Sequence, residues 1–200
     1  DDAVSAAPSA PLETDLFSGL AEDEVEILRS YMSRWPGEPA TNGSMLRILN
    51  KNGDKPPLVW CFNNGAEFER LAGRLGADQP VIGMRSGNII LDLTPANQRR
   101  NNRRLAMTLL PEVLKAQPKG PFQIGGNCQG SAVAIELALA LQAAGHPVSI
   151  PFIMEAVPDH AFPGRVSLLF GKESDFHPYK SFQDPERAWR RRYLDFTVDL

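Results

Sequence analysis

Two hundred residues, 42% hydrophobic and 22% charged, describe an ordinary globular domain able to bury a sizeable core. A net charge of -3 argues against bulk nucleic-acid binding, and no apolar run is long enough to span a bilayer, so neither partner is expected. Cys61 and Cys128 are too few for a disulfide framework, which points to a reducing, cytoplasmic setting.

The chain opens at Asp1 rather than methionine, as a processed form or an excised fragment does. Residues 1–14, rich in Ala, Pro and Ser, read as a flexible linker, and a linker here suggests a domain within a larger multidomain protein. Residues 15–44 read as a helical extension. Within it Val25, Leu28, Met32 and Trp35 form one apolar face over residues 20–35, Glu22, Asp23 and Glu24 occupy the first turn, and Pro36-Gly37 stop the helix. A strand is expected over 45–50, followed by a turn at Asn52-Gly53-Asp54.

From Pro57 the rhythm becomes strand, helix, strand, helix. Strands are expected over 58–62, 80–84, 122–125, 148–154, 165–170 and 193–200, and helices over 67–75, 96–117, 131–144 and 186–192. Pro111 should kink or restart the 96–117 helix. Apolar strands alternating with helices predict an α/β fold over 45–200, a mostly parallel sheet with helices on both faces. Two arginine clusters, Arg99/Arg100/Arg103/Arg104 and Arg187/Arg190/Arg191/Arg192, read first as solvated helix faces and second as a dock for an acidic partner.

Between the strand at 122–125 and the helix at 131–144 stands Gly126-Asn-Cys128-Gln-Gly130. This is the pattern of a nucleophile elbow with cysteine at its apex. Such a residue has strained backbone angles, and glycine two positions away on either side relieves the crowding around it. The turn lifts the side chain to the carboxyl edge of the sheet, and the positive end of the following helix favours a thiolate. Cys61, inside a strand, reads as a small core hydrophobe.

The elbow, the strand 57–62 with its loop, the run Leu71–Met84, the segment Gln117–Phe122 and the segment Ala143–Val148 together resemble thioesterase domains of nonribosomal peptide and polyketide synthases. The resemblance covers roughly residues 46–200 and implies the α/β-hydrolase fold. It also implies release or editing of acyl chains carried as thioesters on the phosphopantetheine of an acyl or peptidyl carrier protein, with no bound cofactor and no metal. By position, Cys128 takes the nucleophile's place and Glu155 that of the triad acid, while the N–H of Gln129 and an N–H near Asn64 take those of the oxyanion donors.

Three features depart from the pattern. Cysteine replaces serine, which suits thiol-to-thiol acyl exchange as well as hydrolysis. Only 156–164 separate Glu155 from the next expected strand, so the family's helical lid is minimal or absent and the site should be open. No histidine follows the last strand: the chain stops before it or the triad is incomplete, with His160 and His177 as loop candidates near the correct edge and His146 at the wrong one. The implied activity is an acyl-thioester hydrolase or acyltransferase working through an acyl-cysteine. The alternative is a catalytically incomplete module that binds a carrier protein or a neighbouring domain.

Overall fold

The computed structural model describes residues 18–200. The linker expected over 1–14 lies outside them, as do the first residues of the 15–44 extension. In chain order the elements are α1 (Glu22–Met32), β1 (Glu38–Pro39), β2 (Arg47–Leu49), β3 (Leu58–Phe62), α2 (Gly65–Leu75), β4 (Val81–Arg85), α3 (Gln98–Ala116), β5 (Gln123–Asn127), α4 (Gly130–Ala143), β6 (Phe152–Met154), β7 (Phe162–Leu169), α5 (Pro178–Ser181), α6 (Glu186–Trp189) and β8 (Tyr193–Asp199).

All eight strands form one sheet in the order β1-β2-β4-β3-β5-β6-β7-β8. β1 and β2 are antiparallel to their neighbours, and every pairing from β4 through β3 to β8 is parallel. A parallel strand needs cover on both faces, and β3 shows this: Leu58, Val59, Trp60, Cys61 and Phe62 are all buried. Phe68 of α2 and Trp35 pack against Phe62 on one face. α4 lies between the sheet and α3, with Val133, Ala134, Leu137, Ala138 and Leu141 fully buried. Leu28, Met32 and Trp35 belong to the same apolar cluster as the strands, so α1 is built into the core rather than appended to it. Arg104 of α3 ties α1 down through Glu24 at 2.6 Å, which removes it from the free face of the first arginine cluster.

Several elements depart from the sequence expectation for identifiable reasons. The strand expected over 148–154 shrinks to β6, leaving Val148 in an isolated bridge with Phe122, because Pro147 and Pro151 donate no backbone hydrogen bond. Pro111 does not interrupt α3, where buried Leu105, Ala106, Leu109 and Val113 flank it on both sides and hold the helix against the core. β7 begins three residues earlier than expected and β5 runs two residues further, into the elbow. The short β1 and the single turn α5 are too brief to leave a periodic pattern, and the helix expected over 186–192 shortens to α6.

The connection from β6 to β7 positions the site. Residues 155–161 must return from the level of Leu169 to that of Phe162, a descent of about 23 Å at 3.3 Å per residue, and eight peptide steps reach at most about 29 Å. The segment is therefore a nearly extended strap with no slack for a helix. It is pinned along its length: the Tyr193 hydroxyl donates to the Pro158 carbonyl at 3.2 Å, Arg192 meets Asp159 at 2.9 Å, and buried His160 meets buried Glu136 of α4 at 2.9 Å.

Candidate active site

Cys128 sits between the last residue of β5 and the start of α4 with φ 50°, the left-handed conformation that a non-glycine residue adopts only when its surroundings impose it. Its N–H donates to the Met154 carbonyl at 2.9 Å, so the apex is fastened to the end of the neighbouring strand. The Ser131 hydroxyl donates back to the Gly126 carbonyl at 2.8 Å and closes the turn. A methyl on Gly126 would lie 2.5 Å from the Gly130 carbonyl oxygen, and one on Gly130 would lie 2.2 Å from the Cys61 carbonyl oxygen. Both glycines are thus required by backbone, not by flexible side chains. Cys128 is partly exposed, whereas Cys61 is fully buried and burial pushes its thiol up, out of the range in which it ionises.

Glu155 directly follows β6, also with positive φ, 54°, where the chain reverses into the strap. Its carboxylate is held by the end of β7: the Gly171 N–H donates to Oε1 at 2.8 Å and the Ser174 hydroxyl donates to Oε2. The Glu155 N–H donates to the Leu169 carbonyl at 2.9 Å. Cys128, Glu155 and the Phe170–Gly171 turn therefore stand side by side at the carboxyl ends of three adjacent parallel strands.

The loop after β3 faces the elbow from the other side. Asn64 is the N-cap of α2: its Oδ1 accepts from the Glu67 N–H at 3.0 Å. Glu67 in turn accepts from the Asn63 N–H at 3.0 Å, the Asn64 side-chain amide at 2.8 Å and the Asn127 side-chain amide at 2.9 Å, while Trp60 donates to Asn127 at 3.2 Å. This network links the residue before Cys128 to the candidate oxyanion loop. Asn64-x-x-Glu67 has the spacing of a capping box, a signal in the sequence that would have revealed Glu67. The N–H groups of Gln129 and Asn64, the two candidate oxyanion donors, take no acceptor among the described residues.

Among the described residues no hydrogen bond or ion pair joins any of the three histidines to Cys128 or Glu155. His146 packs edge-on against Phe122 at the amino end of the sheet. His160 lies against α4, with Nδ1 2.9 Å from Glu136 Oε1. His177 caps α5 and packs against Tyr179, with its own N–H donating to the Ser174 carbonyl at 3.2 Å. Among the described residues no group of three or more His, Cys, Asp or Glu is placed to hold a metal ion, and no helix is long and apolar enough to cross a membrane.

The family model of the thioesterase domain matches residues 63–195, from the first residue after β3 into β8. The chain belongs to the thioesterase domain family. This thioesterase domain is 33% identical over 128 residues to chondramide synthase cmdD of Chondromyces crocatus, covering 61% of this chain and 3% of that protein. It is 28% identical over 132 residues to the dimodular nonribosomal peptide synthase of Bacillus subtilis (strain 168), covering 60% of this chain and 5% of the synthase. The thioesterase domain therefore spans only a few hundredths of the length of these relatives. Among solved structures it is similar to the NocB thioesterase domain in covalent complex with a fluorophosphonate nocardicin G analog, with TM-score 0.59, 20% identity, and coverage of 78% of this chain and 88% of that one. At that identity the likeness concerns the α/β-hydrolase fold.

Proposed function

We propose that this thioesterase domain cleaves or transfers an acyl chain presented as a thioester on the phosphopantetheine of a carrier protein, through an acyl-cysteine at Cys128. The observation that carries the reading is the left-handed apex at Cys128, locked between two glycines that admit no side chain. The Cys128 sulfur attacks the thioester carbonyl carbon, a new carbon–sulfur bond forms, and the bond to the pantetheine sulfur breaks. The pantetheine sulfur leaves with the proton that the Cys128 thiol gives up. Water, or an amine, hydroxyl or thiol acceptor, then attacks the acyl-cysteine and returns the thiol. Negative charge on the carbonyl oxygen is met by the free N–H groups of Gln129 and Asn64. Glu155, its carboxylate fixed by Gly171 and Ser174, takes the place of the acid that would orient an imidazole for the proton transfer. Residues 45–200 form the catalytic body, residues 15–44 extend it, and the domain works inside a larger synthase of the kind its relatives are.

That no histidine is hydrogen-bonded or ion-paired to Cys128 or Glu155 among the described residues favours a second reading, a thioesterase-like module that binds a carrier protein or a neighbouring domain without turnover. Incubation with an acyl-N-acetylcysteamine thioester followed by intact-mass measurement separates the two. An acyl adduct that disappears in Cys128→Ala supports catalysis. No adduct, or one that persists in Cys128→Ala, refutes it and leaves the binding module.

A further inference from the structure

Beside Glu155 the carboxyl edge opens into a cavity of about 470 Å³. Its walls are Val157 of the strap, Phe170 at the end of β7, Trp189 of α6, and Phe176 and Phe182 from the segment between β7 and α6. The last two rings are 63% and 65% exposed, large apolar surfaces that gain nothing from folding where they stand. The charged groups on the same walls are unbalanced: Glu155, Asp175 and Asp184 stand against Arg192 alone, and Arg192 is already paired with Asp159 outside the cavity. Lys172 and Lys180 belong to this segment of chain but do not line the cavity. An apolar, aromatic-walled space with an excess of carboxylates matches an alkyl chain ending in a cation, because ring faces and carboxylates both attract an ammonium group.

The strand spacing sets how long a chain must be to reach into the cavity. Cys128 follows β5, and the cavity runs from the end of β6, one strand spacing away, to the end of β7, two spacings or about 10 Å away. That is roughly eight bonds in an extended chain at ~3.3–3.6 Å per three bonds.

On the proposed acyl-thioester reading, we infer that the Phe176–Phe182 cavity is an acyl subsite selective for chains carrying a distal protonated amine about eight bonds from the thioester carbonyl. Phe176 and Phe182 flank the methylene stem, and Asp175 and Asp184 meet the ammonium group. Neither acid is structurally demanding: both are exposed, and the Asp184 Oδ1 that caps α6 through the Arg187 N–H at 3.1 Å survives as the Asn amide oxygen.

The test is a matched pair of non-hydrolysable ligands, 8-aminooctanoyl-pantetheine amide and nonanoyl-pantetheine amide, which differ only in an ammonium against a methyl. Calorimetric titration of the full chain should give at least ten-fold tighter binding of the amine, and the advantage should shrink as salt is raised. In Asp175→Asn/Asp184→Asn the preference should fall to within two-fold, while Phe176→Ala/Phe182→Ala should weaken both ligands. Equal or tighter binding of nonanoyl, a preference that survives the double Asn variant, or no binding of either ligand would overturn the inference. Because these amides need no chemistry at Cys128, that failure is distinct from the missing acyl adduct that would overturn the function itself.

Discussion

Gly130→Ala tests the elbow at its tightest point. The added methyl would lie 2.2 Å from the Cys61 carbonyl oxygen and 2.8 Å from its carbon. An ordinary carbon–oxygen contact is ~3.3 Å, so the two backbones must separate by about 1 Å. β3 cannot move, because it is paired on both edges, with β4 and with β5. α4 must therefore retreat and loosen the packing of Val133, Ala134, Leu137 and Leu141 beneath it. Overpacking of this kind costs ~1–3 kcal/mol, more when backbone is the obstacle, while the helix preference of alanine over glycine returns less than ~1 kcal/mol at a first-turn position. A net loss of about 2–3 kcal/mol corresponds to a fall in Tm of about 5–10 °C for a chain of this size. The internal control is Gly73→Ala, in an exposed part of α2 where nothing lies within 4 Å of the new methyl; it should gain about 0.5–1 kcal/mol. Thermal unfolding followed by circular dichroism, with urea titration as a second measure, reads both. A Gly130→Ala variant as stable as the parent would refute the steric argument for the elbow.

Three further outcomes follow from burial and pairing. Iodoacetamide at neutral pH should place one carbamidomethyl group on the native chain, at Cys128, since Cys61 is buried and its thiol pushed up; peptide mapping that finds Cys61 labelled at a comparable rate would contradict the packing of β3. Tyr193 is buried and its hydroxyl is pushed up to about 12 from 10, chiefly by desolvation, with Asp159 adding to the rise and Arg192 opposing it. A raised folded-state value means the protonated form is stabilised by folding, so the contribution is intact below pH 10 and is lost as pH rises from 10 towards 12. It is on the order of 2 kcal/mol, and stability curves should show the parent falling more steeply than Tyr193→Phe across that window. Finally, His160→Leu removes the imidazole 2.9 Å from the buried Glu136 carboxylate, which Arg99 approaches at 3.8 Å, and should cost about 3–5 kcal/mol. Adding Glu136→Leu should recover most of that loss in urea unfolding, and strictly additive losses would show that the two groups do not interact.

The parts of the fold that depend on local rules were legible in the sequence. β3 is five apolar residues before an Asn-Asn-Gly stop, and the elbow announces itself by glycines two residues either side of one cysteine. Its steric logic reappears as two contacts shorter than a methyl can make. What was not legible depends on residues distant in sequence. Glu155 could be placed at a strand end, but the groups that hold its carboxylate, Gly171 and Ser174, lie 16 and 19 residues on and meet it only because β7 ends beside β6. Likewise, Glu136 reads as a stray charge in an apolar helix until the strap brings His160 over it. The lid's shortness could be read from spacing, but its cause, a strap with little length to spare over the height of the sheet, needed the register of β6 on β7.

That strap also decides how the molecule meets a protease. Cleavage requires several residues to leave the surface and lie extended in a foreign cleft. A connection already stretched between two strands and fastened by Tyr193, Arg192 and Glu136 has nothing to give up, so cutting it demands that β6 or β7 first come away from the sheet. The segment from Gly171 to Phe182 instead displays two largely exposed phenylalanines, Phe176 and Phe182. A trace of chymotrypsin should therefore nick the chain there and spare the strap, leaving two fragments that stay together because the sheet, rather than the cut loop, joins them.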